Sequence, residues 1–306
     1  MIRVSSYAQN QLLQTNMAST QAKVSDRTIQ IASGKVTQEY TNISSQALEL
    51  ISLQRDNVRT TQFERNIQTT TTRLEIMDSN MTTMSERITN LLSDVLNGLN
   101  SSNIQEIPLE QFAASFRQEI TALMNAQHEG RYLFSGSLTD TPPVDITDAA
   151  YTPQAGLPGV FTADFDYYDG DNVKLSNRID QDATLTYGIT ADDPTFEKLL
   201  RSLAYVEYAG TNNDTTVLQE AYSLLQTSLD GVSSFRSQIG AQLTVLEGAN
   251  KNHADFKTYA QNTISGIEDV DVAEATSRLA FDQVQLQASY ISLTRINETT
   301  LLNYLR

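Results

Sequence analysis

Residues 264–306 read ISGIEDVDVAEATSRLAFDQVQLQASYISLTRINETTLLNYLR. As a helix, this stretch sets Val272, Leu279, Leu286 and Leu293 seven residues apart, flanks them with Ala275, Ser289 and Ile296, and closes on Leu301, Leu302 and Leu305. Apolar positions that recur every seven residues mark a helix laid against another helix. The stripe is narrow and Asp282 interrupts it, so the segment buries too little to stand alone and predicts a partner helix.

The other end of the chain supplies a candidate. Met17, Val24 and Ile31 also recur at seven, with Leu13 one turn earlier, and Ser33-Gly34 stops that helix with a residue suited to a left-handed cap. Two thin heptad helices, one near each end, predict a chain that leaves a base, travels outward and returns. The predicted assembly interface is therefore Leu13, Met17, Val24 and Ile31 on one helix, with Val272, Leu279, Leu286, Leu293, Ile296, Leu301, Leu302 and Leu305 on the other.

Between them, residues 35–43 read as a loop, with Asn42 or Ser44 capping the next helix. Leu53, Thr60, Ile67, Leu74, Met81, Ile88 and Val95 then step by seven, and Phe63, Thr70, Met77, Met84 and Leu91 fill the second position of each heptad. This is the strongest periodic signal in the chain. Gly98 and the polar run 100–103 end the rod, and Pro108 opens a shorter helix that carries Leu109, Phe112, Phe116, Ile120 and Leu123 and folds back on it.

Near Gly130 the pattern changes. Residues 131–136 and 160–168 read as strands, Asp169-Gly170 as a hairpin turn, and 173–179 and 184–189 continue in the same style. Pro194 starts another helix, and 210–214 is a polar turn. A return rod follows, in which Leu218, Leu225, Val232, Ile239 and Leu246 step by seven and the frame runs on through Ala260 to Ile267. The predicted fold is mainly α: an elongated antiparallel coiled-coil helical bundle with a small β-rich insertion domain at the tip. Its divisions are 1–43 with 262–306 (terminal helices), 44–136 with 194–261 (rod), and 137–193 (β-rich insertion).

Composition narrows the chemistry. The 306 residues carry 21 basic and 37 acidic side chains, a formal charge of -16, which argues against a surface for nucleic acid or anionic lipid. Apolar runs are far shorter than the roughly twenty residues of a membrane helix. The start, MIRVSSYAQNQLLQTN, lacks a secretory-type apolar core, so export is expected by a route that does not use one. Cys is absent and His occurs only at 128 and 253, in separate predicted helices, which leaves little for thiolate or imidazole chemistry.

The remaining polar clusters read as structural. Asp164, Asp166, Asp169 and Asp171 miss the alternating spacing of a calcium loop and fall on strand and turn positions. Glu268, Asp269 and Asp271 precede the last helix, where acidic side chains suit its N-terminal dipole. His128-Glu129 has no nucleophile motif beside it and reads as an exposed helix end. Met77, Met81 and Met84 occupy heptad sites, and Tyr167, Tyr168 and Tyr187 read as half-buried strand positions rather than a carbohydrate-binding face. No catalytic set converges, and no cofactor or metal site is predicted.

MIRVSS with a heptad helix ending in Ser33-Gly34-Lys35, together with Ile267-Glu268-Asp269-Val270-Asp271 leading to Leu301-Leu302, resembles the paired terminal regions of bacterial flagellins. Residues 130–136, GRYLFSG, followed by Thr139-Asp140-Thr141-Pro142-Pro143, look like the hook-filament junction branch of that family, hook-associated protein 3. The block 168–190 is similar to the same branch. The resemblance implies a secreted structural protein of the flagellum at the cell exterior. It implies a ring of subunits between flagellin and a hook-side junction protein, and dependence on the flagellar export apparatus and an export chaperone. Two alternatives remain: a short flagellin that forms the filament itself, and a secreted binding module or adhesin that uses the β-rich segment. The thin terminal stripes also predict helices that are disordered in the monomer and order on assembly.

Overall fold

The computed structural model describes residues 2–37, 46–101 and 104–302, with side chains over 8–37, 46–101 and 104–295. Its helices are α1 (Ile2–Ser33), α2 (Ala47–Asn100), α3 (Leu109–Met124), α4 (Pro194–Asn212), α5 (Thr215–Glu268) and α6 (Val272–Leu302). Two short antiparallel pairs join them, β1 (Gln127–His128) with β2 (Arg131–Tyr132) and β3 (Leu175–Arg178) with β4 (Thr184–Tyr187). The fold is a mainly α helical bundle with a small β-rich insertion. The expected caps Asn42 and Ser44 and most of the expected loop 35–43 lie outside the described residues, as do two residues of the polar run 100–103.

The chain divides into two compact units, residues 1–59 with 255–306 and residues 60–254, and α2 and α5 contribute to both. In the second unit the heptads explain the core. From Thr60 to Val95 every predicted α2 heptad position is buried, and so are Leu218, Leu225, Val232, Ile239 and Leu246 of α5. The two helices run antiparallel, with Arg236 Nε 3.3 Å from Asp78 Oδ1. Gly98 is where they meet the start of α3. A Cβ there would sit 2.8 Å from Leu109 Cδ1 and 3.4 Å from Leu218 Cδ2, so glycine lets both leucines close on α2 without shifting.

From that point α3 runs back along α2, with Arg87 paired to Glu119 at 3.1 Å and Asn80 Nδ2 donating to Leu123 O at 3.1 Å. Its inward stripe is Leu109, Ala113, Phe116, Ile120 and Met124. Phe112, predicted to face the core, is 45% exposed, because the 4-3-4-4 spacing of the buried set turns it to the rim. On α4, Asp193 caps the first turn by accepting from Thr195 N at 2.9 Å. The polar turn expected over 210–214 shrinks to Asn213 (φ 55) and Asp214, and Gly210 stays helical. It lies against α3, where a Cβ would come within 3.0 Å of Glu110 N.

Three strand expectations change. Residues 131–136 yield only Arg131-Tyr132, folded against Gln127-His128 around the left-handed pair Glu129 (φ 53) and Gly130 (φ 74). His128 is thus in β1 rather than in a helix. Residues 160–168 form no strand beyond a bridge between Val144 and Tyr168. Their apparent alternation is broken by Asp164, which accepts from Asp166 N at 3.0 Å and Thr152 N at 2.6 Å, a local turn chemistry that competes with a ladder. Asp169-Gly170 accordingly joins no hairpin, whereas β3 and β4 fall within the strands expected over 173–179 and 184–189.

The β-rich segment also lies elsewhere than at a tip. Asn177 Nδ2 reaches Asn66 O (3.1 Å) and Thr70 Oγ1 (2.9 Å), Asn66 Nδ2 donates to Arg178 O (2.9 Å), and His253 Nε2 is 2.7 Å from Ile179 O. These contacts set β3–β4 alongside α2 and α5. The end near Gly98 is filled instead by a 3₁₀ turn (Ile104–Glu106), the start of α3 and the end of α4, where Asn213 Oδ1 accepts from Ile104 N at 3.2 Å.

Candidate assembly interface

In the first unit, Gly34 ends α1 at φ 71, the left-handed turn predicted for it. The chain then pairs with the residues before α6. Val270 N donates to Gly34 O at 2.9 Å, and Val36 N donates to Glu268 O at 2.7 Å. Glu268 is the hub of this joint, since its carboxylate also accepts from Lys35 Nζ at 2.8 Å and Gln54 Nε2 at 2.6 Å. Asp271 Oδ1 accepts from Glu274 N at 3.0 Å and so caps α6. Of the acidic trio, Asp271 acts at the helix N-terminus as expected, Glu268 ties two chain segments together, and Asp269 bonds back to Ser265.

This joint makes α1 and α6 an antiparallel pair. Asn10, Leu13, Met17, Thr20, Val24, Arg27 and Ile31 form the less exposed stripe of α1, at alternating steps of three and four. Ala275, Leu279, Asp282, Leu286, Ser289 and Leu293 do the same on α6. Arg27 Nε lies 4.0 Å from Asp282 Oδ2, with the Asp282 side chain only 13% exposed. Heptad steps from that pair set Val24 level with Leu286, Thr20 with Ser289 and Met17 with Leu293. Asp282, read as an interruption, is therefore half of an interhelical ion pair in the seam.

The structure brings together seven of the predicted interface residues on this seam: Leu13, Met17, Val24, Ile31, Leu279, Leu286 and Leu293, all half-buried. Val272 is 51% exposed and stands outside it. The side chains of Ile296, Leu301 and Leu302, and all of Leu305, lie outside the described residues. Thr20 was passed over as a seam residue, and Ala275 was read only as a flank of the α6 stripe. Both are buried, and their small size lets the helices close.

The larger omission is the opposite face of α6. Phe281 (70% exposed), Val284 (64%) and Ile291 (55%), with Ala288 between them, form a second stripe at 3-4-3 spacing, turned away from the seam. Sequence alone carried that signal. On a helix already given one seam, it points to a second surface that water covers in the isolated chain.

Elsewhere the polar candidates have structural partners. Asp171 accepts from Ser137 N (2.7 Å), Ser137 Oγ and Val173 N (3.2 Å), and the Ser137 hydroxyl and amide hold its carboxyl below the usual carboxylate range. Tyr167 and Tyr187 are buried rather than half-buried, and Tyr167 donates its hydroxyl to Ala191 O at 2.8 Å. Burial pushes the Tyr167 phenol up, so it stays protonated. Among the described residues no group of three or more His, Asp or Glu could hold a metal, and no helix is long and apolar enough to cross a membrane.

Residues 222–305, most of α5 and all of α6, match the family model of the bacterial flagellin C-terminal helical region. No curated protein sequence matches the chain. Among solved structures, the chain is similar to a Vibrio parahaemolyticus protein described as flagellar hook-associated, at 19% identity and TM-score 0.60, over 74% of this chain and 100% of that one. It is also similar to Bacillus cereus FlgL at 14% identity and TM-score 0.56, over 70% and 99% of the respective chains. The flagellar junction protein FlgL of Legionella pneumophila is similar at 14% identity and TM-score 0.52, over 72% and 99%. At these identities the likeness is one of fold.

Proposed function

We propose that this chain is a structural, non-enzymatic component of the bacterial flagellum that joins hook to filament by polymerising through its paired terminal helices. The observation that carries the reading is α6 itself, which has one face spent on α1 and a second apolar face left exposed by Phe281, Val284 and Ile291. A helix with two seams suits a wall of like subunits, since the first seam builds the protomer and the second buries itself against a neighbour. The flagellin match over 222–305 includes this whole helix, and the hook-associated structures share the fold.

In this reading residues 1–43 and 262–306 form the assembly core, 44–136 and 194–261 the body, and 137–193 an insertion on it. The partners are further copies of the chain in a ring, flagellin on one side and a hook-side junction protein on the other. The chain reaches the cell exterior through the flagellar export apparatus with an export chaperone. Phe281→Asp tests it. The variant should keep the α1–α6 pair and the helical content of the free chain, yet fail to incorporate at the hook end, as scored by immunolabelled electron micrographs. Normal incorporation of Phe281→Asp would overturn the second seam.

The flagellin match also favours a second reading, a short flagellin that grows the filament itself. Growth of the purified chain into long filaments without seeds separates the two.

A further inference from the structure

Arg73 of α2 is a buried cation, and among the described residues no carboxylate pairs with it. The residue is 5% exposed, Nη2 donates to Tyr132 O at 3.3 Å, and Nε has no partner among the described residues. It opens onto a small cavity lined by Arg73, Met77, Leu133, Lys174, Tyr187 and Thr190, between α2, the segment after β2 and the β3–β4 pair. The lining holds two cations and no carboxylate, in a chain where acidic side chains outnumber basic ones by 37 to 21. Asp171, which abuts Gly136 at the edge of this cavity, already accepts from Ser137 and Val173.

A buried guanidinium whose Nε has no partner is unfavourable, and a counter-ion offsets that cost. Size selects the ion. The cavity volume is about 10 Å³, about the allowance for one water-sized particle. Phosphate, sulfate and carboxylates bring several heavy atoms to a space that admits one. A water molecule would satisfy a donor and leave the charge unmatched.

We propose that this cavity is a halide site, in which one chloride-sized anion rests against the Arg73 guanidinium with the exposed Lys174 at its mouth. The bound ion fastens the insertion to α2, because its lining residues come from both.

The test uses the full chain at constant ionic strength, with chloride exchanged stepwise for gluconate, which is too large to enter. Thermal unfolding and ³⁵Cl line width are followed together, and crystals grown in bromide are examined for anomalous density. The melting temperature should rise with chloride, ³⁵Cl should broaden and be narrowed by competing bromide, and a bromide peak should lie against Arg73. Lys174→Gln, a change at an exposed side chain, should raise the half-saturating chloride concentration about two- to fivefold, the scale of one exposed charge. Arg73→Met should abolish the chloride dependence. If Arg73→Met does not fold, Lys174→Gln decides the matter, and an unchanged half-saturation overturns the site. Equal melting in chloride and gluconate, or a chloride effect that persists in Arg73→Met, overturns it equally.

Discussion

His253 sits in the heptad frame of α5 midway between Leu246 and Ala260, at a position where leucine would serve burial as well. What leucine could not do is answer Ile179 O, 2.7 Å from Nε2, while the ring stacks on Phe63 at a centroid distance of 5.6 Å. His253→Leu should therefore cost about 1–3 kcal/mol in denaturant unfolding, the penalty of an orphaned buried carbonyl. An unchanged midpoint would contradict that role. The frame through Ala260 was legible in the sequence, but a histidine inside it was not recognisable as core, because its partner is a carbonyl 74 residues away. Asp171 makes the complementary case on the surface. Its carboxyl is held low by Ser137 first and Val173 last, so its contribution is present above the unfolded value of about 3.9 and is lost as pH falls through the lower folded value. The protection factor of the Ser137 amide, its exchange relative to the intrinsic rate at each pH, should fall on acidification below about pH 4 in the native chain. In Asp171→Asn that protection should be low already at neutral pH and insensitive to acid, whereas an acid-insensitive Ser137 protection factor in the native chain would contradict the assignment.

Among the elements, α2 and α5 were readable because burial inside the second unit preserves the period of seven without exception from Thr60 to Val95. Residues 160–168 were not, since alternation of apolar and polar side chains cannot distinguish a strand from a loop that Asp164 bends on itself. The seam of α1 and α6 was legible in its leucines and misread at Asp282. A charge there looks like a defect until Arg27 is seen at the matching position of the other helix. Exchanging the charges tests this. Arg27→Asp should loosen α1, read as faster amide exchange over 17–31, and the double variant Arg27→Asp/Asp282→Arg should restore about 0.5–1 kcal/mol, as expected for a partly exposed pair. Strict additivity of the two changes would show that Arg27 and Asp282 do not interact. Leu286→Asp buries a charge level with Val24 and should abolish incorporation, while the denaturant midpoint of the second unit stays where it is. Both variants bear on the proposal that the terminal pair is weakly held in the free chain. Strong exchange protection over 17–31 in the monomer would refute that proposal.

For the whole molecule, the resemblance in the sequence rested on the order of soft motifs, and the structural likeness to hook-associated proteins supports the same family of folds. The placement of the insertion was beyond reach of the sequence, because it depends on Asn66, Thr70 and His253 offering partners along the sides of α2 and α5. Residues 60–254 hold their own core and should unfold cooperatively when expressed alone, yet should not assemble, since both terminal helices are gone. The central claim is that α1 and α6 are an assembly device for a hook-filament junction. Its most direct test is electron microscopy of the purified full-length chain mixed with isolated hooks carrying the hook-side junction protein, before and after flagellin is added. The chain should stay monomeric alone, add a short collar at the hook end, and permit filament growth from it. Bare hook ends, with flagellin added no faster than in the chain's absence, would contradict it.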